Sequence, residues 1–258
     1  MKLEDKVAVV TGGGRGIGQA IAVALAREGA DVLVAARTNE EIENTVKKIE
    51  ETGRRGVAVP VDLNQRSNIA SFAEQVYSHF PDIHILVNNA GIGSGQNPKL
   101  LVDFDDDFWD TTISLNLTAP YLLMKAFLPK MIAQGWGRVI NLSSVTGKMG
   151  YQLGAAYAAS KHGIIGLTRT AALEVAATGV TVNAICPGAV RTAMLLKRLE
   201  VGAAQSGASL AEIEKNFNPM QRLLEPEEIA ALAVYLTSDD ARGITGQSYN
   251  ITAGSLMH

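Results

Sequence analysis

Short, nearly unbroken apolar runs punctuate this chain, separated by longer stretches that mix apolar, small and charged residues. The runs are Lys6–Thr11, Asp31–Ala36, Gly56–Val61, Ile83–Val87, Gly137–Ser144 and Val180–Ile185, with Ser248–Thr252 as a candidate seventh. Runs rich in Val and Ile without polar alternation predict strands covered on both faces, the habit of parallel sheets. Helices are predicted over Gln19–Arg27, Glu40–Glu51, Asn68–Phe80, Asp105–Gln134, Ala155–Ala177 and Pro226–Thr237. The last carries its proline near the start, where a missing N–H costs nothing. Asn116 falls near the middle of the longest stretch; Asn is a poor interior helix residue, so it marks a kink or has a task of its own. Ala193–Pro219 lacks strand character and interleaves Met194, Leu195, Leu196, Leu199 and Val201 with small and charged residues. It reads as a mobile helical lid over about 190–220 with an apolar underside. No repeat or linker divides the chain, and 258 residues are commonly a single domain in an α/β protein, so 1–258 is expected to be one unit.

Composition narrows the class. Apolar residues make up 47% and charged residues 19%, an ordinary globular balance. A net charge of −3 without a Lys/Arg run argues against nucleic acid or an anionic membrane as main partner. The apolar run after Met1–Asp5 is too short for a leader or a membrane span, and the one cysteine, Cys186, suits a reducing compartment. A cytoplasmic protein is expected. His79, His84, His162 and His258 lack metal-ligand spacing, so no metal site is expected.

The first predicted strand runs into Thr11-Gly-Gly-Gly-Arg-Gly-Ile-Gly18, five glycines in the seven residues from Gly12 to Gly18, and then a helix. A strand, glycine-rich turn and helix together present free N–H groups and a helix N-terminus to a phosphate. Tight packing of helix on strand is the plainer alternative. The spacing is G-x-x-x-G-x-G rather than the commoner G-x-G-x-x-G. At the end of the second strand, where NAD-binding folds usually carry an acidic residue, stand Ala36 and Arg37, and Arg15 lies inside the glycine turn. A missing carboxylate and two guanidinium groups favour a 2′-phosphate, hence NADP(H) rather than NAD(H). Arg37 could also merely cap the sheet or stack on adenine. Asp62, ending the third strand, could accept from an adenine amino group or cap the next helix. Asn88-Asn-Ala-Gly91 allows close backbone approach to a ligand, or is only a turn.

Tyr157 and Lys161 are four residues apart, on one face of a predicted helix, with Ser144 thirteen residues earlier at a strand end. A phenol of pKa about 10 is about 0.1% ionised at neutral pH, and lowering that pKa by about 3 units requires roughly 4 kcal/mol. One ammonium about 5 Å away supplies roughly 3 kcal/mol at an effective dielectric near 20. Such a pair suits proton transfer to a carbonyl or from an alcohol. Alone, the spacing is equally that of a surface pair on an amphipathic helix.

Taken together, Thr11-Gly-x-x-x-Gly-x-Gly18, Asp62, Asn88-Asn-Ala-Gly91, Asn116, Ser144, Tyr157-x-x-x-Lys161 and Pro187-Gly188 resemble, in order and spacing, the motifs of the short-chain dehydrogenase/reductase family. The resemblance covers residues 5 to 254. It implies a doubly wound, Rossmann-type parallel sheet of seven strands in the order 3-2-1-4-5-6-7, with helices on both faces. It implies that Tyr157 is the proton donor or acceptor, that Lys161 lowers its pKa and binds the nicotinamide ribose, and that Ser144 bonds the substrate oxygen. Asn116 would hold a water that relays protons towards Lys161. Further cofactor contacts are implied at Gly12, Arg15, Gly16, Ile17, Gly18, Arg37, Asp62, Leu63, Asn89, Gly91, Pro187, Gly188, Val190 and Thr192. Gln96, Gln152, Leu153, Met194 and Leu195 are candidates for the substrate pocket.

The expected activity is an NADP(H)-dependent exchange of hydride with a ketone or secondary alcohol. Rival readings are a 3-oxoacyl-(acyl-carrier-protein) reductase and a non-catalytic NADP(H)-sensing protein. Relatives acting on carrier-bound acyl groups typically keep basic residues where this chain has Gly135 and Thr178, which leaves an acidic carrier without its partners. Ile251-Thr252-Ala253-Gly254 replaces the family's usual Val-Asp/Asn-Gly-Gly, in a region that helps build the homotetramer expected from the resemblance.

Overall fold

The computed structural model describes residues 1–207 and 209–257, and only the backbone at 201, 202 and 204–206. Seven strands form one parallel sheet: β1 (Val7–Thr11), β2 (Asp31–Ala36), β3 (Gly56–Pro60), β4 (Ile85–Asn88), β5 (Gly137–Leu142), β6 (Val180–Pro187) and β7 (Ser248–Ile251). Their order is β3-β2-β1-β4-β5-β6-β7. The helices are α1 (Gly16–Arg27), α2 (Asn39–Glu50), α3 (Asn68–His79), α4 (Asp106–Ile113), α5 (Ala119–Gln134), α6 (Ala155–Val175), α7 (Ala193–Ser206), α8 (Leu210–Lys215) and α9 (Pro226–Thr237).

The strands are apolar throughout because both faces are covered. One face packs Ile21, Leu25, Ile42, Ile229 and Leu236 against Val10, Val32, Val34 and Ile140. The other packs Phe72, Val76, Leu123, Phe127 and Val175 against Val9, Leu33, Leu86 and Val182. Each such side chain contributes roughly 1.5–3 kcal/mol of transfer free energy. The sheet turns back on its own order between β1 and β4, which pair through Ala8↔Ile85, Val9↔Leu86 and Val10↔Val87. Crevices at such reversals, outside the strand C-termini, are where open α/β sheets take ligands.

Three departures from the predicted elements bear on the site. The stretch over 105–134 is two helices joined by a π-turn, Ser114–Thr118, with Asn116 buried inside it. β5 stops at Leu142, two residues before Ser144, which instead caps a short 3-10 turn by accepting from Thr146 N at 3.2 Å. β6 continues past Ile185 to Pro187, where the missing N–H falls on the strand's last residue. At the opposite rim of the sheet, Gly135 ends α5 at φ +67 and its carbonyl lies against Gly179 at φ +78. The lid region is helical, as α7 and α8; Leu199 is buried beneath it, and Val201 lies outside the described side chains.

Candidate active site

A cavity of about 280 Å³ runs along the C-terminal edge of the sheet from the glycine turn to Tyr157 and Lys161. The lack of side chains lets the glycine turn pack closely on β4 and α2. At Gly12, φ is +64 and a Cβ would stand 2.8 Å from Ala90 Cα. At Gly18, a Cβ would meet the carbonyl oxygen of Gly12. Asn89 fastens the turn from the β4 side, its Nδ2 donating to Thr11 O at 2.9 Å and Gly12 O at 3.0 Å. Thr45, fully buried on α2, braces it from the other side by donating to Gly13 O at 3.0 Å. Gly14, Arg15, Gly16 and Ile17, at the start of α1, line the cavity, so the residues present fit a dinucleotide phosphate on the helix N-terminus.

Of the expected cofactor contacts, Gly12, Arg15, Gly16, Ile17, Gly18, Arg37, Asp62, Leu63, Asn89, Gly91, Tyr157, Lys161, Pro187 and Thr192 line this cavity. Two do not. Gly188 is packed against Thr252, and the Val190 side chain is buried in the core beside its bridge to Leu224. Asp62 accepts from Asn64 N at 3.0 Å, a local turn rather than a helix cap. Thr192 caps α7 by accepting from Leu195 N at 3.3 Å, which fixes the start of the lid at the cavity wall.

The carboxylate missing from the end of β2 is supplied elsewhere. Glu41, in the first turn of α2, lines the cavity and pairs with Arg15 at 3.0 Å. Glu41 lies four residues after Arg37 in a helical first turn, beyond the strand end where the acidic residue is expected. Thr38 and Ser143, which carry no sequence mark of their own, also line the cavity, as does Ala90 of the Asn88–Gly91 motif.

At the chemical end, Lys161 is 6% exposed, and its Nζ lies 5.7 Å from the Tyr157 ring centroid. The same Nζ donates to Leu142 O at 2.7 Å. Burial lowers the Lys161 pKa to about 8, so it is still mostly protonated at pH 7. Tyr157 departs from the expected direction. Burial raises its pKa above the ordinary phenol value, and the nearby hydroxyls of Ser144 and Thr146 oppose that only in part. Withdrawal of the phenolate from water outweighs those hydrogen bonds.

The Asn116 side-chain amide is fully engaged within the protein. Its Oδ1 accepts from Ile92 N at 2.9 Å, and its Nδ2 donates to Ile92 O at 2.9 Å and Ser160 Oγ at 3.2 Å. The amide clamps the loop after β4 to α6, one residue from Lys161. Among the substrate candidates Met194 lines the cavity, whereas Gln96, Gln152, Leu153 and Leu195 lie outside its wall. Gln96, Gln152 and Leu153 are exposed. Arg198 of α7 packs on Gly95 and sits 5.7 Å over the Tyr151 ring, which closes the space between the lid and the 148–154 loop.

The family model described as short chain dehydrogenase matches residues 6–201. The chain belongs to this family. As a short-chain dehydrogenase/reductase it is an oxidoreductase of the class acting on carbonyl and hydroxyl groups, and the family binds a nicotinamide cofactor. It is 39% identical over 257 residues to 3-oxoacyl-(acyl-carrier-protein) reductase FabG of Pseudomonas aeruginosa, covering 100% of both chains. It is 37% identical over 255 residues to the D-beta-hydroxybutyrate dehydrogenase of Rhizobium meliloti, covering 96% of this chain and 98% of the relative. A crystal structure of an actinorhodin polyketide ketoreductase variant with NADPH superposes with a TM-score of 0.90 at 33% identity, covering 97% of this chain and 98% of that one. Among the described residues of this short-chain dehydrogenase, no three His, Cys, Asp or Glu side chains gather as for a metal, and no helix is long and apolar enough to cross a membrane.

Proposed function

We propose that this chain is an NADP(H)-dependent reductase and dehydrogenase for a ketone/secondary-alcohol pair, with Tyr157 as its acid and base. The observation that carries the reading is the single cavity joining the glycine turn and Arg37 to Tyr157 and Lys161. When bound, the nicotinamide supplies or accepts the hydride. Tyr157 holds the proton exchanged with the substrate oxygen, and burial keeps the phenol in its protonated form until that exchange. Ser144, fixed by the turn it caps, offers a hydroxyl to the same oxygen. Lys161 places a positive charge within 5.7 Å of the phenol ring, worth roughly 3 kcal/mol to a developing phenolate at an effective dielectric near 20. Gly12, Gly16, Ile17, Gly18 and Asn89 would hold the phosphates and ribose, and Arg15 and Arg37 the 2′-phosphate.

The test is Tyr157→Phe. Turnover of a responsive ketone should fall about 10²- to 10⁴-fold, while calorimetric binding of NADPH is retained. Near wild-type turnover would refute the assignment. Activity with any ketone also eliminates a purely cofactor-sensing protein.

The likeness to the carrier-protein reductase supports a second reading, with an acyl group delivered on acyl carrier protein. Gly135 and Thr178 oppose it, since neither offers a charge to an acidic carrier. Comparing turnover on carrier-bound and small-molecule ketones separates the two. We also propose a homotetramer: Tyr121, Ile132 and Leu173 leave apolar area on the outer faces of α5 and α6, with Leu173 81% exposed. Light scattering on the purified protein reads the assembly state directly.

A further inference from the structure

The adenosine end of the cavity holds a charge arrangement that two arginines alone do not describe. Arg15 Nη1 is bonded to Glu41 Oε1 at 3.0 Å, and both side chains line the cavity. The Arg15 side chain is 66% exposed and that of Glu41 34%, so the pair faces the space a ligand would enter. Glu41 is not a loose surface residue. A Cβ on Gly14 would stand 2.8 Å from Glu41 Cβ, so the glutamate stem is packed on the glycine turn. Thr45 Oγ1 stands 3.1 Å from the Glu41 carbonyl oxygen and 3.0 Å from Gly13 O, and its one hydrogen is shared between them. The first turn of α2 is thereby bolted to the turn that would carry the phosphates, and the carboxylate is held beside Arg15.

We propose that Glu41 is a cofactor-discriminating residue, whose carboxylate competes with the cofactor 2′-phosphate for Arg15. This rests on the NADP(H) reading above. A dianionic phosphate arriving at Arg15 must displace a carboxylate that stays within a few ångströms of it, so it loses an ion pair and meets a like charge. An unphosphorylated ribose meets neither cost, because Glu41 has already neutralised Arg15 and is itself an acceptor for ribose hydroxyls. The site therefore favours the 2′-phosphate less strongly than Arg15 and Arg37 imply, and the same pocket retains use of NAD(H).

The experiment is calorimetric titration of the full-length protein with 2′,5′-ADP and 5′-AMP, comparing wild type, Glu41→Gln and Glu43→Gln. Glu43 carries the same charge on the same helix, bonds Asn39 and is absent from the cavity wall, so its variant controls for net charge. Glu41→Gln should tighten 2′,5′-ADP about five- to tenfold and leave 5′-AMP within about twofold, with Glu43→Gln unchanged. An unmoved 2′,5′-ADP affinity, an equal gain for both ligands, or the same gain in Glu43→Gln would overturn the role of Glu41. If neither wild type nor Glu41→Gln binds 2′,5′-ADP more tightly than 5′-AMP, the NADP(H) reading itself fails. Thermal melts of the three proteins verify that each is folded.

Discussion

The ammonium of Lys161 is bonded to the carbonyl oxygen of Leu142, mooring the middle of the site to the last residue of β5. The bond holds the lysine in place at the cost of burying it, and that cost has a pH signature. The folded-state pKa is about 8 against 10.5 for a free lysine. Below pH 8 both folded and unfolded chains carry the proton, and the fold bears the full penalty of the buried charge. Between pH 8 and 10.5 the folded chain releases its proton first, so the unfolded state binds more protons and stability rises with pH. Relative to Lys161→Met, wild type should gain up to about 3 kcal/mol across that window, as read by urea unfolding at several pH values.

Asn116 gives a second expectation. Asn116→Ala removes the partners of Ile92 N, Ile92 O and Ser160 Oγ inside a closed environment. Leaving buried groups unsatisfied costs about 1–3 kcal/mol, so chemical denaturation should show a loss of that size. Turnover should fall as well, because the loop after β4 is no longer tied to α6.

Thr45 links the glycine turn to α2 through one hydroxyl. Thr45→Val keeps the shape and removes the one hydrogen shared between Gly13 O and Glu41 O, along with acceptance from Gln19 Nε2. Stability should drop by about 1–2 kcal/mol. Affinity for 5′-AMP should weaken too, which a change confined to the distant core would not produce.

Leu153 adopts φ +62 while 40% exposed. A left-handed conformation costs a leucine about 1–2 kcal/mol, and glycine's extra unfolded-state freedom costs about 0.5–1 kcal/mol. Leu153→Gly should therefore stabilise by about 0.5–1 kcal/mol, raising Tm by about 1–3 °C in a scanning melt. A fall in Tm would mean that the leucine gains more from packing than the backbone loses.

Much of this architecture was readable because parallel strands buried on both faces leave unbroken apolar runs. β2 and α9 were bounded to the residue by such patterns, α9 with the help of Pro226. The glycine turn was legible for a similar reason, since only residues without a Cβ tolerate the approach of Ala90 to Gly12. What escaped depends on distance in space. Glu41 is unremarkable in an acidic helical turn until α2 is folded onto Gly14. The raised pKa of Tyr157 comes from desolvation, which follows from the packing around the ring and not from the spacing to Lys161. β5 was carried too far because Ser143 and Ser144 follow an apolar run without a turn residue, and β6 was ended too early because Pro187 reads as a strand breaker although its missing N–H falls harmlessly at the strand's end.

The π-turn at 114–118 gives the long helix one residue more than a regular spiral of the same length would contain. Each residue of an α-helix advances about 100° around its axis, so removing the surplus would swing position 116 away from both Ile92 and Ser160. Residue count is therefore part of this centre's geometry, as much as residue identity. A one-residue deletion there would undo the clamp while leaving every motif in place, a defect invisible to any comparison that scores signature residues alone.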